Sequence, residues 1–331
     1  VKTPGNLCQK LLLSPPPESV DIPYRIPVTY SMGRPAPKVV IALAGGVRQS
    51  AMSAALGRPV VDLPLPDGRS ILQMWRDEVQ DLGRALGGEM IPLRTLVSKP
   101  SALPKLVEPG TLVPVTVEYD KLDFRGTGGL LRDLAADFRP DDLMLVLHGN
   151  QVPLMPLTQM WSMLTSEQAA VTLMAEPDGT AAGIQLVRAG ALEGVRDKGF
   201  IDFKEQALPA IAKQHRVRVV RSQTPVLQPI RTLDQYISTL RMLTLRASNN
   251  MHTVPETNAV TEEWTRTFAL VDVKASVAKD AIVHDSVVLP GATIMGGGVV
   301  VRSIVSQGAT VPAGARVFDS VFGTQGKSKE A

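Results

Sequence analysis

An α/β fold with a mostly parallel sheet, followed by a short hexapeptide β-helix, is what the sequence predicts. Two patterns carry this. Over residues 38–248, continuous apolar runs alternate with stretches of helical spacing, the arrangement of a parallel sheet with helices on both faces. Beyond about residue 270 the helical spacing stops, and aliphatic residues recur near every sixth position with Gly or Ala between them. Such a pattern belongs to a coil whose turns stack on one another. The resulting organisation is a Pro-rich arm (1–37), the α/β domain (38–248), a linker (249–270), the β-helix (271–325) and a tail (326–331).

Taken in order, the arm holds Pro15-Pro16-Pro17, Pro23, Pro27, Pro35 and Pro37, whose missing amide donors favour extended chain. Lys38–Leu43 is an apolar run ending at Gly45-Gly46, suited to a strand buried on both faces. Ser70 opens a helix with Gln73 in the capping-box position, and Ile71, Trp75, Val79 and Leu82 form its apolar stripe. Further strands are predicted at Leu112–Val117, Leu143–Leu147, Ala170–Ala175 and Val217–Val220. Helices are predicted at Leu130–Asp137, Lys204–Lys213 and Thr232–Leu245, the last with Gln235 completing a second capping box. Val283–Val288, Leu289–Ile294, Met295–Val300 and Val301–Ser306 are consecutive sixes, and Gly308-Ala309-Thr310-Val311 echoes Gly291-Ala292-Thr293-Ile294.

Composition narrows the function classes. With 35 basic against 32 acidic residues the net charge is +3, too balanced for a nucleic-acid-binding surface. No apolar run approaches the roughly 20 residues of a membrane span. The single Cys8 cannot form an internal disulfide, and no apolar signal core follows the N-terminus, so the expected location is cytoplasmic. The four histidines are too scattered for a metal cluster by spacing.

Four segments resemble the sugar-1-phosphate nucleotidyltransferases (NDP-sugar pyrophosphorylases). Leu43-Ala44-Gly45-Gly46 is similar to that family's first strand and phosphate loop. Gly126-Thr127-Gly128-Gly129-Leu130-Leu131-Arg132 resembles its G-T-a-G-a-l-r nucleotide loop. Ala182-Gly183-Ile184 with Gly199–Pro209 resembles its substrate segment, and Pro229–Tyr236 its D-I-G-T-P-e-d-Y segment. The resemblance covers roughly residues 38–325. It implies a Rossmann-like nucleotidyltransferase sheet with helices on both faces and a short C-terminal left-handed β-helix. The implied reaction is attack of a sugar-1-phosphate on the α-phosphorus of a nucleoside triphosphate, releasing pyrophosphate and leaving an NDP-sugar. Positioning and charge neutralisation dominate such a step, and Mg²⁺ held by carboxylates is the family's means.

Carried over residue by residue, the resemblance assigns nucleotide binding to Leu43, Ala44, Gly45, Gly46, Gly126, Thr127, Gly128 and Gly129, and sugar binding to Gly183 and Glu205. Arg48 stands in the phosphate loop, either gripping the triphosphate or as a solvated loop charge, and Arg58 takes the place of the family's lysine. The metal positions depart from the pattern. Asn150 replaces the first Asp, and Pro229 (or Gln228, shifted by one) occupies the second. Each lost carboxylate a few Å from a divalent ion removes several kcal/mol of attraction at an effective dielectric near 20, so the expectation is weak or substrate-borne Mg²⁺. Three functions follow: a divergent transferase with impaired catalysis, a catalytically inactive subunit that binds a nucleotide or NDP-sugar and regulates a partner, and a structural protein. The β-helix offers a surface for homo- or hetero-oligomers.

Overall fold

The computed structural model describes residues 35–45, 50–97, 113–119, 125–249, 268–323 and 329–330. Most of the Pro-rich arm and most of the linker therefore lie outside the described residues, as do Gly46 and Arg48.

The α/β domain runs β1 (Val39–Leu43), α1 (Ala51–Leu56), α2 (Ile71–Ala85), β2 (Leu93–Val97), β3 (Val115–Tyr119), α3 (Gly126–Ala135) and β4 (Leu143–His148). It continues through β5 (Gln151–Pro153), α4 (Leu157–Leu164), β6 (Val171–Ala175), β7 (Ala181–Arg188), α5 (Leu208–Ile211), β8 (Val217–Arg221), β9 (Leu227–Pro229) and α6 (Leu233–Asn249). Seven strands form one sheet in the order β3-β2-β1-β4-β7-β6-β8. All run parallel except β7, which opposes both its neighbours. The expected large, mostly parallel sheet is present.

Both faces of that sheet are covered, which is why its central strands are apolar throughout. Val40 and Ala42 of β1 face α2, α4 and α6, in one core with Trp75, Trp161 and Tyr236. Val39, Ile41 and Leu43 face the other way, toward Leu131 and Leu134 of α3 and Leu208 and Ile211 of α5. Each fully buried aliphatic side chain contributes about 1.5–3 kcal/mol. The capping box of α2 is made as the sequence indicates: Gln73 N donates to Ser70 Oγ (3.2 Å) and Ser70 N to Gln73 Oε1 (2.6 Å).

Two helices differ from expectation, each for an identifiable reason. α3 begins at Gly126 rather than Leu130, so the glycines form its first turn. The amides of Gly128 (2.8 Å) and Gly129 (3.4 Å) donate to Ile201 O, which satisfies helix-start donors that otherwise need a cap. The helix expected over Lys204–Lys213 is instead a wide π-turn over Phe203–Ala207 leading into the short α5. Pro209 has no amide to bond the carbonyl of residue 205, and the ladder slips by one, with Ala207 N on Asp202 O at 3.0 Å. Asp202 caps the turn, accepting from Lys204 N and Glu205 N.

The C-terminal strands visit three short parallel sheets in rotation. β10 (Ala269–Val271), β13 (Ser286–Val288), β16 (Ile304–Val305) and β19 (Ser320–Phe322) form the first. β11 (Ser276–Val277), β14 (Thr293–Ile294) and β17 (Thr310–Val311) form the second; β12 (Ile282–His284), β15 (Val299–Val301) and β18 (Arg316–Phe318) form the third. Val287 pairs with Ile304 and Ile304 with Val321, so one turn takes 17 residues rather than three sixes. Inward positions step from Val288 to Ile294 to Val300, then to Val305; one side per turn is a residue short. The corner that absorbs this is left-handed in every turn, at Asp285, Arg302 and Asp319 (φ 45°, 45° and 47°). These residues lack glycine's freedom, and ion pairs Arg241–Asp285 and Arg302–Asp319 hold them there. A serine ladder runs alongside, with Ser303 N on Ser286 Oγ (3.1 Å) and Ser320 N on Ser303 Oγ (3.2 Å). The strands begin two residues before the expected boundary at 271. The backbone of Lys329–Glu330, expected as tail, pairs antiparallel with β19.

Phe268, Val287, Leu289, Ile304 and Val321 join the same core as α6. One side of the coil therefore packs directly on the α/β domain.

Candidate functional site at the ends of β1 and β4

The chain leaves β1 toward β2 and leaves β4 toward the opposite half of the sheet, so the strand order reverses between these two neighbours. In open α/β sheets a crevice forms outside the carboxyl ends of the strands at such a point, and ligands bind there. Leu43 and His148 are in register at the edge of this crevice. Beyond them lie Ala44, Gly45, Gly149 and Asn150.

Close packing fixes this corner. Gly149 N donates to Leu43 O (2.9 Å). A Cβ on Gly149 would lie 3.1 Å from Val61 Cγ1 and 3.2 Å from the Ala44 Cβ. The buried Trp75 indole donates to Gly149 O (3.2 Å) and Gln151 O (3.0 Å), anchoring the chain on either side of Asn150. Asn150 Nδ2 reaches Ala44 O at 3.5 Å, and Ile230 N donates to Asn150 O (2.9 Å). Gln151 pairs with Pro229 across β5 and β9. The two positions that the resemblance assigns to the metal therefore lie side by side.

The donors there do not suit Mg²⁺. Asn150 Oδ1 and Gln151 Oε1 are both buried with no hydrogen-bond partner, but amide oxygens bring no charge, and proline has no side-chain ligand. Among the described residues no group of three or more His, Cys, Asp or Glu side chains could hold a metal ion.

The local charge is positive instead. Burial pushes the His148 imidazole down to about 4, with the positive charges of Lys204 and Arg231 acting in the same direction, so the ring is neutral at pH 7. Neither Lys204 nor Arg231 has an ion pair among the described residues. Arg231 also lines a cavity of about 210 Å³ where the start of α1 (Ala51, Met52) and the start of α6 meet the coil corner at Arg302 and Asp319.

The other expected site residues fall out as follows. Leu43 and Ala44 are buried, and Gly45 is exposed at the crevice. Arg58 is tied to Asp62, with Nε on Oδ2 at 2.9 Å; the turn that carries it packs Val61 on Gly149. Its charge is thus matched by a carboxylate in the fold. Gly183, at φ +84°, leaves room for Gln151, whose Oε1 would be 2.9 Å from an added Cβ. Glu205 is exposed on the π-turn. In the Gly126–Gly129 turn, Thr127 Oγ1 accepts from Phe203 N (3.1 Å), and a Cβ on Gly126 would lie 2.5 Å from Ile201 O. These glycines thus seat the segment that carries Lys204, and the amides of Gly128 and Gly129 are already engaged.

No protein-family model matches this chain, and no curated protein matches it. Lys204, Arg231, Gln151 and Trp75 were not evident as site residues from the sequence. Arg231 had one available signal: it stands where the D-I-G-T-P segment carries glycine.

Proposed function

We propose that this chain is a divergent sugar-phosphate nucleotidyltransferase that binds a nucleotide or NDP-sugar at the ends of β1 and β4 and catalyses transfer poorly. On this reading the sheet is the family's nucleotidyltransferase sheet and the C-terminal coil is a left-handed β-helix. The supporting observation is the juxtaposition of Asn150 and Pro229 at the crevice, where the family's two metal-binding residues would meet. The local chemistry suits a phosphorylated ligand: exposed Gly45, two cations without ion pairs among the described residues, and a neutral imidazole. Neutralising the charge on a leaving pyrophosphate requires more than this, since the carboxylates that would hold a divalent ion are replaced. The same observation favours a second reading, a binding subunit without turnover that regulates a partner.

The test pairs two measurements. Pyrophosphate release is followed with a panel of nucleoside triphosphates and sugar-1-phosphates in Mg²⁺, and NDP-sugars are titrated by calorimetry. The expected result is binding with turnover far below the roughly 10 s⁻¹ of an ordinary enzyme. Undetectable turnover with binding intact selects the second reading. Flat heats across the whole panel would contradict both.

A further inference from the structure

Three departures from the resembled pattern fall within one small region and shift its charge the same way. Asn150 and Pro229 each remove a carboxylate, and Arg231, two residues on, adds a guanidinium where glycine is the pattern. The fold ties these positions together. Ile230, between Pro229 and Arg231, donates its amide to Asn150 O at 2.9 Å, and Gln151 is the cross-strand partner of Pro229. Lys204 lies on the π-turn, and the residues before it, Ile201 and Phe203, are seated by the glycine turn of α3; its charge acts on His148 at the end of β4, as does that of Arg231. At the same strand ends two amide oxygens, Asn150 Oδ1 and Gln151 Oε1, are buried without a hydrogen-bond partner among the described residues, the second packed on Gly183.

Resting on the nucleotide-binding reading above, we infer that this site binds the diphosphate of an NDP-sugar without a divalent cation, with Arg231 and Lys204 supplying the charge that Mg²⁺ supplies elsewhere. Carboxylates in such a site repel a diphosphate unless a metal stands between them; with amide and proline in their place that repulsion is gone. Guanidinium groups bind phosphate oxygens in a bidentate fork, and lysine acts as a point charge. The cations account for the phosphates. The Asn150 amide oxygen, unpartnered among the described residues, accounts for the rest of the ligand class, since it needs a hydrogen-bond donor and a hydroxyl of a ribose or hexose provides one.

Calorimetric titration of the full chain with UDP-, ADP-, GDP- and dTDP-hexoses, in excess EDTA and again in Mg²⁺, tests this. The inference expects at least one ligand to bind with the same affinity, within about threefold, in both buffers. In EDTA, Arg231→Ala and Lys204→Ala should each weaken it by roughly 10- to 100-fold, as for a charge-assisted contact. Arg231→Lys should retain part of the loss. Neither side chain has an ion pair among the described residues, and circular dichroism of each variant checks that it is folded. Binding seen only with Mg²⁺, or unchanged in both alanine variants, would overturn the inference while leaving nucleotide binding standing. Absence of binding in both buffers would overturn both.

Discussion

His148 ends β4 with its imidazole largely buried, and its protonation state ties the site to folding. The unfolded chain carries an ordinary histidine near 6.5, whereas burial holds the folded one near 4. Between these values the unfolded state takes up the proton first, so stability is complete above about pH 6.5 and falls as the pH drops toward 4. The loss is up to about 3 kcal/mol. Urea denaturation across this range should show that slope in the native chain and a flatter one in His148→Gln. At the neighbouring position, Asn150→Asp would place a carboxylate against the Ala44 carbonyl, which now receives the Asn150 amide at 3.5 Å. The expected effect is a loss of about 1–3 kcal/mol without metal, partly recovered by Mg²⁺ in a thermal melt. No difference between EDTA and Mg²⁺ would mean that residue 150 does not face a cation-accessible crevice.

Among the elements, α2 and the start of α3 position the site from a distance. Trp75 holds two carbonyls beside Asn150, so Trp75→Phe combines their loss with a small void. It should cost about 2–4 kcal/mol in chemical denaturation. A Cβ on Gly128 would stand 3.0 Å from Ala207 Cβ and from Ile201 O; Gly128→Ala should cost about 1–3 kcal/mol by overpacking. What the sequence made legible follows from how local each cause is. The run Leu143–Leu147 needs no partner to be identified as a buried strand, and the capping box of α2 is complete within four residues. The start of α3 was not legible, because glycines there become helical only when Ile201, more than seventy residues on, accepts their amides. Arg58 is read as a phosphate ligand from its place beside Pro59 in the resembled pattern; its pairing with Asp62, four residues on, depends on the turn between them. The 17-residue turn was hidden for the opposite reason: the sixes are real in two of its three sides, and the short one shows only once the left-handed corners are placed.

At the scale of the whole molecule, the coil and the α/β domain share a core through Phe268, Val287, Ile304 and Val321. Arg241 of α6 bridges the same junction to the buried Asp285. Such a shared core is expected to give one cooperative melting transition by calorimetry. Ile304→Ala should cost about 2–5 kcal/mol and, by loosening the junction, separate the melt into two. No helix among the described residues is long and apolar enough to cross a membrane. The Arg231 segment sits between the crevice and the cavity at this junction, so the coil lies close to the ligand that the strand ends are proposed to hold.

A crystal structure of the chain grown with an NDP-sugar in EDTA would show directly where the diphosphate lies and what holds it. Density for the diphosphate is expected at the ends of β1 and β4, with Arg231 and Lys204 on its oxygens and Asn150 on a hydroxyl. Ligand density elsewhere, or a cation from crystals grown in Mg²⁺ held by protein side chains beside Asn150, would contradict it.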